Sequence, residues 1–502
     1  MAELVLENGL VDVGGGEFRR ADVVVVGDRI ALIGKAGARP AAETLDCSRY
    51  AVAPGMVNAH SHSNENWFRG RFDNLPLEPW MLFSYPVLAA PAQSAREIYV
   101  RTLLGALEMV RSGTTSVVDF LYEVSGFTDE SLAAVVQAYR DVGLRALVAL
   151  AMSDLTYHET VVLDIGMVPA GLLDRLERER PPAWSEWERF ARSAVDRFHR
   201  PEEGISIGLA PSGPQRCSDE LLSGCAELAD ELDLAIHIHV LETRMQALSG
   251  RKRYGRTLPE HLDGLGFLGP RVSFEHGVWL TDHDVELVAG SGTGIVHNPV
   301  SNLKLGSGIC PVPALLRAGV NVALGSDGAA SNDGNDMYAT AKIAALLHKH
   351  WGTDYREWLG AREAWAMATT AGARPMGDGT VGRLAPGARA DLVLLDLDAL
   401  VFTPLNDPLK QIVLGSSRTA LRSAMVAGRW VLWDDVVTGV DERAVLSEAR
   451  ALGPAVLARH DQAFELGQKL LAGVRSGWLE ALHSEGDLKS LGPARAALTA
   501  HG

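Results

Sequence analysis

Apolar residues in this chain gather into short, nearly continuous runs separated by stretches with charged faces. Eight such runs recur in the long middle section: MVNAH (56–60), TTSVVDF (114–120), RALVALAM (145–152), ISIGLAP (205–211), AIHIHV (235–240), VSFEHG (272–277), GIVHNP (294–299) and VALGSD (322–327). Runs this short, rich in Val and Ile and with little polar alternation, suit strands buried on both faces. Helical stretches such as SAREIYVRTLLGALEMVRSG and DELLSGCAELADELD lie between most of them. Eight strands with crossovers predict an α/β fold, a (β/α)8 TIM barrel over residues 54–378, with a doubly wound open sheet as the alternative. No G-x-G-x-x-G follows an early strand, which weakens that alternative.

The two flanks have a different texture. LVLENGLVDV, ADVVVVGDRIALIG and ETLDCSRYAVAPG near the N-terminus are short Val- and Leu-rich runs broken by Gly and Asp turns, and GRLAPGARADLVLLDL and SAMVAGRWVLWDD repeat the pattern late in the chain. A small β-sandwich domain assembled from 1–53 and 379–440 accounts for both, with the barrel inserted between them. Beyond residue 440, VDERAVLSEARALGPAVLARHDQAFELGQKLLAGV has heptad-like apolar spacing. It predicts a C-terminal helical extension over 441–502, packed on the body or on another subunit.

Composition narrows the setting. The chain has 502 residues, 47% hydrophobic and 22% charged, enough for a sizeable core. Its formal charge of −16 argues against nucleic acid or an anionic membrane as main partner. Cys47, Cys217, Cys225 and Cys310 form no C-x-x-C pair and no disulfide framework. The opening MAELVLENGLVDVGGG lacks a signal-peptide pattern, and no apolar stretch approaches the ~20 residues a membrane span needs. A cytoplasmic protein is expected.

The polar residues at the strand ends carry the chemistry. His60 and His62 end the first barrel strand as H-S-H; a strand's period of two points both imidazoles the same way, a natural chelate. His237 and His239 repeat the spacing on the fifth strand, followed by Glu242. His276 ends the sixth strand, His297 the seventh and Asp327 the eighth. In a (β/α)8 barrel these C-terminal strand ends converge on one mouth.

The stretches PGMVNAHSHSN, HIHVLET, FEHG, HNPVSNLKLGSG and ALGSDGAASND together resemble the metal-dependent amidohydrolase superfamily. The nearest branch resembles that of triazine hydrolases and guanine, cytosine and S-adenosylhomocysteine deaminases. TAGARPMGDGTVGRLAPGARADLVLLD fits its return to the β-domain, so the resemblance covers about residues 1–440. It implies that His60, His62, His239 and Asp327 ligate one divalent metal ion per chain, zinc or alternatively iron. It places His276 beside the attacking water and gives Glu242 the acid–base role of an H-x-x-E-T motif. His237 is left over, a core histidine one layer deeper. A homo-oligomer is expected from the family's habit and the C-terminal helices.

The chemistry of these groups agrees. Three neutral imidazoles and one carboxylate suit a borderline cation. Asp327 can take the proton of water, His276 can polarise the nucleophile, and Glu242 can protonate a ring nitrogen and then the leaving group. Ammonia must be protonated to leave and chloride need not be, so Glu242 permits deamination. ISIGLAPSG offers no lysine to bridge two metals, which favours a mononuclear site, and the H-x-E/P-C-x-x-C deaminase pattern is absent. The expected activity is hydrolytic deamination of an amino-substituted N-heterocycle: a pterin, purine, pyrimidine or triazine. The alternative is hydrolysis of another C–N bond, in a cyclic amide or urea, or of C–Cl or C–S on a heteroaromatic ring. A non-catalytic scaffold would need none of the six polar residues.

Substrate contacts are expected from WFRGRFDNLPLEPWM, where Trp67 and Trp80 can stack on a ring and Arg69 can hold a carbonyl or anion. Gln215 and Arg216 after the fourth strand, Arg244 after Glu242, and Asn298 and Ser301 after the seventh strand are further candidates. Two departures from the S-adenosylhomocysteine deaminases count against a nucleoside. SYPVLAAPAQ carries no acid for a ribose, and APSGPQRCS has Ser212 near the place of a histidine.

Overall fold

The computed structural model describes residues 3–484, apart from 38, 40, 87–90, 124–125, 179, 351–353 and 416. The end of the expected helical extension, 485–502, and the centre of SYPVLAAPAQ lie outside the described residues. Among the described residues there are seventeen strands. The first five are β1 Glu3–Asp12, β2 Phe18–Val26, β3 Arg29–Gly34, β4 Glu43–Asp46 and β5 Tyr50–Pro54. The next eight are β6 Met56–Ser61, β7 Thr114–Leu121, β8 Arg145–Met152, β9 Ile205–Pro211, β10 Ile236–Val240, β11 Val272–His276, β12 Gly294–His297 and β13 Val322–Leu324. The last are β14 Leu392–Asp396, β15 Leu421–Val426, β16 Arg429–Trp433 and β17 Val436–Val437.

Strands β6 to β13 form one parallel sheet in chain order. Every residue of β6, β7 and β8 is buried, which is why those runs show no polar alternation. The first and last strands meet: Asp327 N donates to His60 O at 2.9 Å, and Asn58 and Ser326 exchange two hydrogen bonds at 2.7 and 2.9 Å. The barrel is thereby closed at the residues that carry the chemistry. Its crossover helices are capped by their own sequence. Ser94 and Glu97 form a capping box on the helix Ala95–Val110, and Thr243 accepts from Gln246 N at the start of the helix Arg244–Tyr254.

The second sheet joins both ends of the chain. Its nine strands run β17-β16-β15-β14-β5-β1-β2-β3, with β4 on β1. The seam is the antiparallel pair of β14 with β5, from Leu392 opposite Pro54 to Asp396 opposite Tyr50. Leu6, Val23, Ile30, Val52, Leu392 and Met425 pack in a core separate from the barrel's. A buried ion pair ties the two bodies, Arg145 Nε to Asp391 Oδ2 at 3.1 Å.

The C-terminal helices Glu442–Gln468 and Leu471–His483 pack on the body and reach the barrel mouth. Arg96 pairs with Glu448 and Arg459 with Glu97 at 2.5–2.6 Å. Phe464 stacks 4.2 Å from Phe83, and His460 lies 4.2 Å from Phe68. These partners belong to the first loop and its helix, Leu77–Ser84. The approach is close: a Cβ added at Gly467 would sit 2.5 Å from Leu82 O, so only glycine fits. Among the described residues no helix is long and apolar enough to cross a membrane.

Candidate active site at the barrel mouth

The strand ends bring the expected residues to one point. The ligand atoms of His60, His62 and Asp327 lie within 4.8 Å of one another, and so do those of His60, His239 and His276. His60 belongs to both groups. His62 Nε2 is 3.2 Å and His60 Nε2 3.5 Å from Asp327 Oδ1.

The tautomers follow from what holds each ring from behind. His62 Nδ1 donates to Phe120 O at 2.6 Å and His239 Nδ1 to Ser212 O at 3.0 Å. His276 Nδ1 meets Asn302 Oδ1 at 2.8 Å, and His60 Nδ1 lies 3.3 Å from Glu275 Oε2. With each Nδ1 turned to an acceptor, each Nε2 faces the centre, where it can ligate a cation, in the case of His62 after giving up a proton. The buried His60 Nε2 has no hydrogen-bond partner among the described residues. Converging lone pairs and one carboxylate, one of them an unmet buried nitrogen, fit a divalent cation.

The backbone is bent to do this. Asp327 has φ 62° and His276 φ 75°, both left-handed and both non-glycine. Such residues cost of order 1–3 kcal/mol each and persist where the surroundings over-determine them.

Charge in the site is uneven. Burial opposes the charged form of His62, but its bond to Asp327 outweighs this and pushes it up to about 9. Burial lowers His60 to about 3. Burial also works against the Asp327 carboxylate, yet His60 and His62 hold it well below the usual range. The metal-free centre therefore stores one proton, on His62. Glu242 is the opposite case. Burial pushes it up to about 7, and the neighbouring His276 ring only partly offsets that. Glu242 Oε2 lies 3.7 Å from His276 Nε2, and Oε1 accepts from Ser307 Oγ at 3.2 Å. Leu241 at φ 55° and the bond from Glu242 N to Gln246 Oε1 (2.8 Å) fix the turn that presents it.

His62, His239, Glu242, His276 and Asp327 line a small cavity of about 40 Å³ with Glu65, Trp80, Tyr85, Tyr122 and Arg216. Of the substrate contacts expected from the sequence, Trp80 and Arg216 line it. Trp67 packs in the apolar cluster of the first loop. Arg69 is paired with Glu108, and Arg244 stacks on Trp279 and donates to Leu482 O and Ser484 O, so both are engaged outside the cavity lining. Gln215 is buried outside the lining. Asn298 stands 3.5 Å from His276 Nδ1, and Ser301 Oγ donates to Asn298 O, so both support His276 from behind. His237 is satisfied by Glu275 Oε1 (3.0 Å) and Pro375 O (3.1 Å), as expected of a core histidine. His297 lies 3.3 Å from His348 Nε2, apart from the centre.

Sequence reasoning missed three groups. Glu275 touches both His60 and His237, and its place beside His276 in FEHG was the available signal. Glu65, three residues after His62, accepts from Tyr85 OH (2.5 Å) and from the backbone of Ala330 and Ser331, holding the loop after Asp327. Glu78 is buried and bonded by Thr243, which links the first-loop helix to the Glu242 turn. No local pattern marks those two.

Residues 51–431 match the profile described as "Amidohydrolase family". The chain belongs to the amidohydrolase family. A 5'-deoxyadenosine deaminase of Methanosarcina mazei is 35% identical over 91% of this chain and 99% of its own length. A 5-methylthioadenosine/S-adenosylhomocysteine deaminase of Syntrophobacter fumaroxidans is 34% identical over 91% and 98%. Among solved structures, an adenosine deaminase of Xanthomonas campestris with bound zinc superimposes with a TM-score of 0.80 at 30% identity, covering 91% of this chain and 99% of that one. The amidohydrolase barrel with its additional sheet is thus the architecture of this chain, and its His/Asp centre is that of a hydrolase using a divalent metal.

Proposed function

We propose that this amidohydrolase deaminates a 6-aminopurine-type ring, replacing the amino group by oxygen from water and releasing ammonia. Hydrolytic deamination of an amino-substituted N-heterocycle is the activity of its deaminase relatives, and the purine ring is the class their names share. The observation that carries the reading is Glu242: a buried carboxyl raised to about 7, in reach of His276 and on the same cavity as Asp327. Chloride could leave without such an acid; an amine could not.

His60, His62, His239 and Asp327 would hold the metal, zinc rather than iron and one per chain. A divalent cation there supplies Lewis acidity, which brings the pKa of water down to about 7. Asp327, kept ionised by two imidazoles, accepts the proton of the attacking water. Glu242 gives its proton to a ring nitrogen as the carbon is attacked, then a proton passes to the leaving amine. His276, fixed by Asn302, faces the oxygen that joins the carbon. Trp80, Tyr85 and Tyr122 are the aromatic side chains of the cavity wall that a flat heterocycle would meet. In the same proposal the catalytic domain spans 54–378, the β-domain 1–53 and 379–440, and the helical extension begins at 441. The chain acts in the cytoplasm as a homo-oligomer; its four thiols are all free and buried.

The test is ammonia release by metal-quantified protein from adenine nucleosides, against amino-pterins, amino-pyrimidines and amino-triazines. Ammonia from the purines alone is the expected result. Ammonia from another ring class alone would replace the purine, and chloride or a ring-opened acid without ammonia would refute deamination.

A further inference from the structure

The acid of the proposed reaction stands on a strained turn that is tied to a distant part of the chain. Leu241, just before Glu242, holds φ 55°, a left-handed conformation that a bulky side chain keeps only where its surroundings impose it. Its carbonyl accepts from Val278 N and Trp279 N, both at 3.0 Å, which anchors the turn to the segment after β11. Beyond Glu242 the chain enters the helix Arg244–Tyr254, with Thr243 as its N-cap. The carboxyl of Glu242 has one hydrogen bond among the described residues, from Ser307 Oγ. Where it points therefore depends on how its backbone is held.

Thr243 holds the other side. Its hydroxyl accepts from Gln246 N at 3.3 Å and donates to Glu78 Oε1, and Gln246 Oε1 accepts from Glu242 N at 2.8 Å. A hydroxyl has a single hydrogen. With that hydrogen committed to Glu78, a lone pair of the oxygen is left to face the helix, so cap and clamp are one arrangement. Gln246 also lines the catalytic cavity. Glu78, Thr243, Gln246 and Glu242 thus form a continuous chain of hydrogen bonds that ends on the acid's own amide.

Glu78 stands where a carboxylate normally stays in water. It lies in the first turn of the helix Leu77–Ser84, and an acid there favours the helix dipole from the surface. Here it is only 4% exposed, and its Oε2 has no hydrogen-bond partner among the described residues. Burial raises its pKa, and the bond from Thr243 is the first of the contacts that oppose this. A carboxyl withdrawn from water to meet one hydroxyl is explained by what that hydroxyl holds.

Resting on the deaminase reading, we propose that Glu78 is a positioning residue for the general acid: through Thr243 and Gln246 it fixes the Glu242 turn, so that the proton meets the leaving amine. The first loop then does more than cover the ring. It aims the group that lets ammonia leave.

The test compares two leaving groups on one ring. Adenosine needs its amine protonated, whereas 6-chloropurine riboside loses chloride without that step. Their kcat/KM values are measured on metal-quantified protein. In Glu78→Leu and Thr243→Val the ratio of ammonia to chloride release should fall about tenfold or more, with metal content unchanged. Glu78→Gln and Thr243→Ser, which retain the acceptor and the hydroxyl, should keep most of it. The double variant Glu78→Leu/Thr243→Val should lose no more than the worse single one, because both break the same chain. The ratio is read within one protein, so a general loss of stability lowers both rates and leaves it unmoved. Hydrogen–deuterium exchange gives a readout without turnover: residues 241–247 should exchange faster in Glu78→Leu, and residues 77–84 faster in Thr243→Val. Ammonia from the parent, with ratio and exchange unchanged in Glu78→Leu, would overturn the clamp and leave deamination standing. Faster exchange with an unchanged ratio would make Glu78 a support of the fold alone and overturn its role toward the acid. No ammonia from the parent, with both exchange effects present, would sink deamination and leave the clamp on Glu242 standing.

Discussion

The two sides of the active site are built differently. The metal face comes from strand ends: β6, β10 and β11 deliver imidazoles held from behind by Phe120 O, Ser212 O, Asn302 or Glu275, and the segment after β13 delivers Asp327, whose Oδ1 accepts from Gly328 N at 2.9 Å. The opposite wall is a loop and a short helix, Leu77–Ser84, whose own core is completed by Phe464 and His460 from the far end of the chain. Chemistry that tolerates little displacement sits on the barrel, and the surface that reads the substrate sits on parts that can vary. The two sides should therefore respond differently to substitution.

The largest expected effect is on the metal face. Asp327→Ala removes a ligand and a proton acceptor together and leaves His62 without its counter-charge. Turnover should fall by about 10⁴-fold or more, with metal lost on dialysis. Elemental analysis alongside the ammonia assay checks both. Full metal and activity in this variant would break the assignment.

Two pH dependences separate the metal from the acid. With His62 at about 9 in the metal-free protein, binding a cation at lower pH must displace one proton. Apparent metal affinity should then rise about tenfold per pH unit and level off near 9, measured by competition with a chelator. In the proposed mechanism Glu242 acts in its protonated form, present below about 7 and lost above it. On fully metallated enzyme, kcat/KM should fall about tenfold per unit above 7. A flat profile across 6 to 9 would remove Glu242 as the acid.

The smallest effect is expected from the far wall. Phe464→Ala deletes a ring stacked on Phe83 and Phe72, both on the first loop and its helix. Partial burial makes a cost of about 2 kcal/mol reasonable, below the ~3–5 for a fully buried Phe. KM should rise severalfold with metal content and kcat nearly unchanged. Loss of metal would show that the two sides are not separable.

Much of the metal face was legible in the sequence because it depends on local periods. A strand fixes which residues share a face, so H-x-H spacing and residues at the ends of eight Val-rich runs already define the barrel and the polar residues that meet at its mouth. Arg69 and Arg244 were assigned toward the substrate on proximity alone, and the fold gives them Glu108 and the C-terminal carbonyls instead. Arg216 was named from its loop and does line the cavity, whereas Glu65 and Glu78 were illegible. Each takes its meaning from a partner 20 to 265 positions away, at Tyr85, Ala330 or Thr243, and no period in the chain encodes such pairings.

The central claim is that Glu242 supplies the proton for amine departure at a metal centre that it does not help to hold. The direct measurement is metal content and ammonia release, side by side, for the parent enzyme and Glu242→Gln. The expected result is unchanged metal with ammonia release reduced by about 10²–10⁴-fold. Metal-loaded Glu242→Gln releasing ammonia at a near-parental rate would contradict it.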